Sequence, residues 1–160
     1  MSKSLVIFDY DWSLINENSD TYIFKKLHPP LHEELHHLLR EHQGQWTKTM
    51  DYALGQLHQR EPNLSLTDIR KCLEEIPIQD NMIQALLYAK QKQCDIYILS
   101  DANTLYIQWL LERYEIHHII SHVFTNRAYV DDSGRIRVFP FHEGEAHNCE
   151  LCPVNMCKGL

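Results

Sequence analysis

A short apolar run, Leu5-Val6-Ile7-Phe8, ends in Asp9-Tyr10-Asp11-Trp12-Ser13. Four strand-forming residues in a row read as a buried strand. The acids that follow mark its end. In extended backbone, side chains two apart point the same way, so Asp9, Asp11 and Ser13 are expected to converge on one spot just beyond a sheet. Two carboxylates that close repel, and a cation or a proton between them makes the arrangement stable. Acids after a strand also build turns, so D-x-D-x-S needs a second element beside it before it carries chemistry.

The rest of the chain supplies that element. Ser19 or Asp20 is expected to cap a short helix through Leu27, ended by Pro29-Pro30. Leu31, Leu35, Leu38 and Leu39 fall at i, i+4, i+7 and i+8, an amphipathic helix. Trp46, Met50, Ala53, Leu54 and Leu57 give another. Ser65 with Asp68 makes a variant capping box for a third, carrying Ile69, Cys72 and Leu73. Pro77 breaks it, and Asp80 is expected to cap a fourth through Met82, Ile83, Leu86 and Leu87. The period then changes. Cys94 to Leu99 reads as a second strand, followed at once by Ser100-Asp101-Ala102-Asn103. A helix with Leu105, Trp109, Leu110 and Tyr114 comes next. Ile119-Ile120 and Val123-Phe124 suggest a third short strand, and residues 129–138 a hairpin around Asp132-Ser133-Gly134. Strand, helix, strand, helix, strand implies α/β with a parallel sheet. The helical block of residues 16–80 exceeds a simple crossover of about a dozen residues. It reads as a cap inserted between the first two strands, with residues 1–15 and 81–160 as the core.

The two strand ends, read together, resemble motifs I and II of the haloacid dehalogenase superfamily. Asn18-Ser19-Asp20-Thr21, Ser100-Asp101-Ala102-Asn103, Val123-Phe124-Thr125-Asn126 and Cys152-Pro153-Val154-Asn155-Met156-Cys157-Lys158 resemble one branch of it, the pyridoxal-phosphate and phosphoethanolamine/phosphocholine phosphatases. The resemblance implies a Rossmann-like parallel sheet and a Mg²⁺-dependent phosphatase of small phosphate monoesters. Asp9 would be the nucleophile that forms an aspartyl-phosphate, and Asp11 the proton donor and later the base. Ser100 would hydrogen-bond a phosphoryl oxygen, and Lys158 would add a second positive charge. Asp20 and Asp101 match substrate-contacting positions, with Ser13 beside them. Mg²⁺ would sit between the Asp9 carboxylate, the Asp11 carbonyl and phosphate oxygens. Two acids facing the substrate suit an amine-bearing molecule.

The resemblance also sets an expectation at the C-terminus. The family continues past its lysine to a G-D-x-x-x-D element whose acid completes the metal site, while this sequence ends two residues after Lys158. Its strand order, 5-4-1-2-3, would leave the first strand as an edge. Such edges invite strand addition, so self-association through that strand is expected. The alternative reading of the whole is an impaired family member that serves as a binding or regulatory remnant.

Composition trims the remaining choices. A net charge of −7, from 15 basic and 22 acidic residues, argues against a nucleic-acid partner. No apolar run approaches a membrane span, and Leu5–Phe8 is too short for a signal-peptide core. Five cysteines cannot all pair within one chain, so reduced thiols and a cytoplasmic location are expected. His147, Cys149, Cys152 and Cys157 are spaced for structural zinc, or form a loop near Lys158 with idle thiols. His32-Glu33-Glu34-Leu35-His36 matches H-E-x-x-H, but a chain with 11 histidines makes that match easily, and a solvated helix face explains it.

Overall fold

The computed structural model describes residues 4–142. Strand β1 (Leu5–Phe8) runs into a tight turn over Tyr10–Leu14. Helices α1 (Ser19–Leu27), α2 (Pro29–Glu41), α3 (Trp46–Arg60) and α4 (Leu66–Glu74) follow before α5 (Asp80–Gln91) leads to β2 (Asp95–Asn103). After α6 (Thr104–Arg113) come β3 (His122–Val130) and β4 (Ile136–Phe139). The sheet order is β1-β2-β3-β4. The first two pairings are parallel, with Phe8 opposite Ile98 and Ile98 opposite Val123, and β3 with β4 is antiparallel. This is the α/β architecture expected from the alternation of strands and helices.

Several local expectations shift for identifiable reasons. Asn18, not Ser19 or Asp20, caps α1: its Oδ1 accepts from Thr21 N at 2.9 Å. Pro29-Pro30 opens α2, since a first-turn proline forgoes only an N–H that has no partner inside the helix. His28 Nδ1 caps that helix by accepting from Leu31 N at 3.0 Å. The capping box before α4 forms as read: Ser65 Oγ accepts from Asp68 N at 3.2 Å and Asp68 Oδ2 from Ser65 N at 3.0 Å. Gln79 precedes α5 without a side-chain cap, and Asp80 sits in the first turn instead. Strand β2 runs on to Asn103, so Ser100 and Asp101 lie within it. The third strand and the first arm of the hairpin are one continuous strand, β3.

The core is continuous from the sheet into the helices. Ile96 and Ile98 are fully buried, and Val6 and Phe8 pack on the same cluster. Ile23 and Phe24 of α1, Leu31 of α2, Met50, Leu54 and Leu57 of α3, and Leu73 after them complete it. The opposite face of β1 is open: Leu5 is 50% and Ile7 55% exposed. Among the described residues β1 is an outer strand of the sheet, packed on one face only. Cys72 is buried and Cys94 half-buried, both free thiols. Among the described residues no helix is long and apolar enough to cross a membrane.

Candidate active site

Parallel pairing of β1 with β2 brings their C-terminal ends to the same edge of the sheet. Asp9 follows Phe8 directly, and Ser100-Asp101 follow Leu99 one step past the Phe8–Ile98 pairing. Open parallel sheets gather their ligand-binding groups at this edge.

The backbone does not stay extended through Ser13. Leu14 N donates to Asp9 O at 3.2 Å and Ile15 N to Tyr10 O at 3.0 Å, which closes a wide turn. Within it Asp11 is extended (φ −67°, ψ 134°) and Trp12 left-handed (φ 56°, ψ 13°). A bulky residue in that region costs on the order of 1 kcal/mol. The period-two argument for convergence therefore fails past Asp9. Ser13 is exposed and lines a small cleft of about 70 Å³ with Leu14, Ile15, Asn16, Gln79 and Met82. Trp12 is 67% exposed.

The same turn aims Asp11 at the start of α1. Its Oδ1 accepts from Ser19 N at 2.8 Å, and its Oδ2 lies 3.4 Å from the donating Asn18 Nδ2. A helix N-terminus favours a carboxylate there. Asp9 is exposed at the strand end and accepts from Tyr10 N at 2.9 Å.

On β2, the pairing with β3 is irregular between Leu99 and Asn103, and such irregularities re-aim side chains. Ser100 is buried, and its Oγ accepts from Ala102 N at 3.0 Å, leaving its own O–H to donate. Asp101 is half-buried. Its backbone oxygen accepts from Asn126 Nδ2 at 2.6 Å, while Asn126 Oδ1 accepts from Phe141 N at 3.0 Å. Asn103 caps α6 through Oδ1, accepting from Tyr106 N at 3.1 Å.

Asp20, in the first turn of α1, is 4% exposed. Burial and the nearby charges of Asp11 and Asp101 push its carboxyl up to about 8, against the lowering effect of bonds from Trp46 and Asn103. Burial, with the nearby charges of Asp11 and Asp20, raises the Tyr10 hydroxyl well above its usual value, and burial with Asp20 does so for Tyr106. Asp11 and Asp101 thus both lie within electrostatic reach of Asp20. The site carries an excess of negative charge that a cation would relieve, whether metal or substrate.

That charge suits a divalent ion, although among the described residues no group of three or more His, Cys, Asp or Glu is arranged to hold one. Magnesium needs no such cage, because it keeps several waters and binds through one or two carboxylates plus phosphate. In the H-E-x-x-H run, Glu33 and His36 are both exposed on α2, as a solvated helix face would have them. Lys158 and the His147, Cys149, Cys152, Cys157 group lie outside the described residues.

Trp46 packs against the core, as its place on an apolar stripe suggests, and it has a second role that the sequence does not signal. Its indole Nε1–H also donates to Asp20 Oδ2 at 2.8 Å. Nothing in the local sequence signals a partner 26 positions away.

With this geometry in view, comparison with known proteins is informative. The family model described as "Putative Phosphatase" matches residues 4–160. The chain belongs to that family. It is 35% identical over 162 residues to the "Thiamine phosphate phosphatase-like protein" of Arabidopsis thaliana, covering 100% of this chain and 64% of that protein. It is 34% identical over 163 residues to "Pyridoxal phosphate phosphatase PHOSPHO2" of Mus musculus, covering 98% and 63%. The chain therefore spans just under two thirds of the length of these relatives. Among solved structures, "Phospho-Aspartyl Intermediate Analogue of Phosphoserine phosphatase" superposes with a TM-score of 0.60 at 16% identity, over 86% of this chain and 64% of that one. At that identity the likeness is one of fold, and it agrees with the haloacid dehalogenase type read from the motifs.

Proposed function

We propose that this chain is a Mg²⁺-dependent phosphomonoesterase of small, nitrogen-bearing phosphate esters in the cytosol, working through an aspartyl-phosphate. The observation that supports this reading is the shared edge of β1 and β2, where Asp9 follows one strand of the Phe8–Ile98 pairing and Ser100-Asp101 follow on the other. In this reading a carboxylate oxygen of Asp9 attacks phosphorus as the P–O bond to the leaving alkoxide breaks. Asp11 gives that alkoxide its proton, then takes one from the water that cleaves the acyl-phosphate. Its bonds from Ser19 N and Asn18 hold it in place for both steps. Ser100, whose Oγ already accepts from Ala102 N, directs its O–H to a phosphoryl oxygen. A Mg²⁺ ion held by the Asp9 carboxylate and the Asp11 carbonyl would supply the positive charge that lets a carboxylate approach a phosphate dianion. Lys158 would add a second charge.

In this reading helices α1–α4 form the cap, and Asp20 of α1 lies within electrostatic reach of Asp101. The cationic part of the substrate would bind against these two acids and draw Asp20 back into its ionised form. Relatives named for thiamine phosphate and pyridoxal phosphate support an ester of this class, such as pyridoxal phosphate, phosphoethanolamine or phosphocholine.

The test is hydrolysis of p-nitrophenyl phosphate with and without Mg²⁺, beside Asp9→Asn. Turnover that needs Mg²⁺ and drops by roughly 10³-fold in the variant supports the reading. Equal, negligible rates favour the other reading, a binding or regulatory protein. That reading draws on the half-exposed Leu5 and Ile7 along β1, an edge suited to pairing with a second copy.

A further inference from the structure

Trp46 opens α3, and its indole reaches Asp20 Oδ2. Asn103, at the start of α6, lies close enough to the same carboxyl to favour its charged form. Asp20 is buried, so these donors and not water decide how its carboxyl is turned. The helix that carries the indole is itself fastened five residues on, and Trp46 and Asp51 line one cleft with Val138 and Pro140. There Asp51 meets the β3–β4 hairpin. Its Oδ1 accepts from Arg137 Nε at 2.9 Å and from Val138 N at 2.9 Å. Its Oδ2 accepts from Arg137 Nη2 at 3.2 Å and from Arg135 Nη2 at 3.1 Å. Arg135 Nη2 also donates to the Asp51 backbone oxygen at 2.7 Å. Gly55, one turn on, leaves room for that guanidinium, since a Cβ there would stand 2.7 Å from Arg135 Cζ. A flexible helix end would give Asp20 an uncertain donor, whereas a helix fastened along its length gives it a fixed one.

We propose that Trp46 is a positioning residue for Asp20, and that the Asp51–Arg135–Arg137 clamp sets where α3 presents the indole. The consequence for specificity rests on the phosphatase reading: Trp46 tunes the fit of the substrate's cationic group without touching the reacting atoms.

Two measurements on the full chain test it, and the first needs no catalysis. The Trp46 indole resonance, assigned by its loss in Trp46→Phe, is followed by hydrogen exchange, with the backbone amide spectrum confirming the fold. Exchange is expected to quicken by tenfold or more in Asp20→Ala, and to quicken also in Asp51→Asn. Equal rates in all three proteins would overturn the proposal, and quickening in Asp20→Ala alone would overturn its clamp. The second measurement is the ratio of KM for phosphoethanolamine to KM for p-nitrophenyl phosphate. A charge-assisted hydrogen bond lost at Asp20 should raise that ratio roughly tenfold in Trp46→Phe, and an unchanged ratio would overturn the specificity role. Should the wild type hydrolyse neither ester, the phosphatase reading falls, and indole exchange alone decides the positioning of Asp20.

Discussion

Replacing Gly55 with alanine tests how tightly the hairpin grips α3. Gly55 sits inside a helix of 15 residues. At an open helical position, Gly→Ala gains about 1 kcal/mol from backbone entropy and helix propensity. Here the new methyl would lie 2.7 Å from Arg135 Cζ and 2.8 Å from its Nη2. A free arginine end would swing aside at little cost. This one is tied to the Asp51 oxygens at 2.7 and 3.1 Å, and moving it far enough to admit a methyl breaks both bonds. Hydrogen bonds to a charged group are worth about 1.5–3 kcal/mol each. With the Arg135 side chain 24% exposed, water recovers part of that, so the pair is set at about 2–3 kcal/mol. The net expectation is destabilisation by roughly 1–2 kcal/mol. In an Arg135→Ala background the methyl meets no guanidinium, and the same substitution should stabilise by about 1 kcal/mol. Urea unfolding of the four proteins gives the coupling directly. If Gly55→Ala shifts stability equally in both backgrounds, the guanidinium is not held, and the clamp reasoning fails.

Two further outcomes follow from the site and from the sheet edge. Asp20 ionises near pH 8 in the folded protein and near 4 when unfolded, so the native state binds the extra proton between those values and loses stability as pH rises through them. Metal-free Asp20→Asn cannot ionise, and its stability relative to wild type should climb by up to about 1.4 kcal/mol per pH unit from pH 5 to 8; urea melts showing no pH trend in that difference would refute it. At the edge of the sheet, Ile7→Lys places a charge on a half-exposed position of β1, which should reduce concentration-dependent association in sedimentation velocity while leaving the melting temperature within a few degrees; unchanged association would point away from this strand.

Much of the architecture was readable because it rests on local patterns. The apolar period of Leu31, Leu35 and Leu38 gave α2, and Ser65 with Asp68 gave the start of α4. That the acids after Phe8 and the Ser100-Asp101 pair fall at one edge was legible because paired parallel strands present their ends to the same side. What stayed hidden depends on contacts between distant residues. Asp51 meets Arg135 and Arg137 across 84 and 86 positions, and no spacing rule links a helix to a hairpin at that range. Trp46 looked like packing because an indole on an apolar stripe normally is, and only the folded chain shows its N–H on a buried acid. Ser13 was misread for another reason: strand periodicity was carried past the point where Trp12 turns the backbone.

Strand β3 serves two neighbours along its length. Its first half pairs in parallel with the strand bearing Ser100 and Asp101, and its second half forms the antiparallel arm that leads to Arg135 and Arg137. Asn126 lies between, holding the Asp101 carbonyl. The helix that contacts Asp20 and the strand that carries Asp101 are thus tethered to a common beam. Swinging α3 outward to admit a ligand must either drag that beam along, disturbing Asp101, or release Asp51 from both arginines. Access from this flank is consequently stiff, and a ligand's entry route is easier to seek where Trp12 stands in solvent.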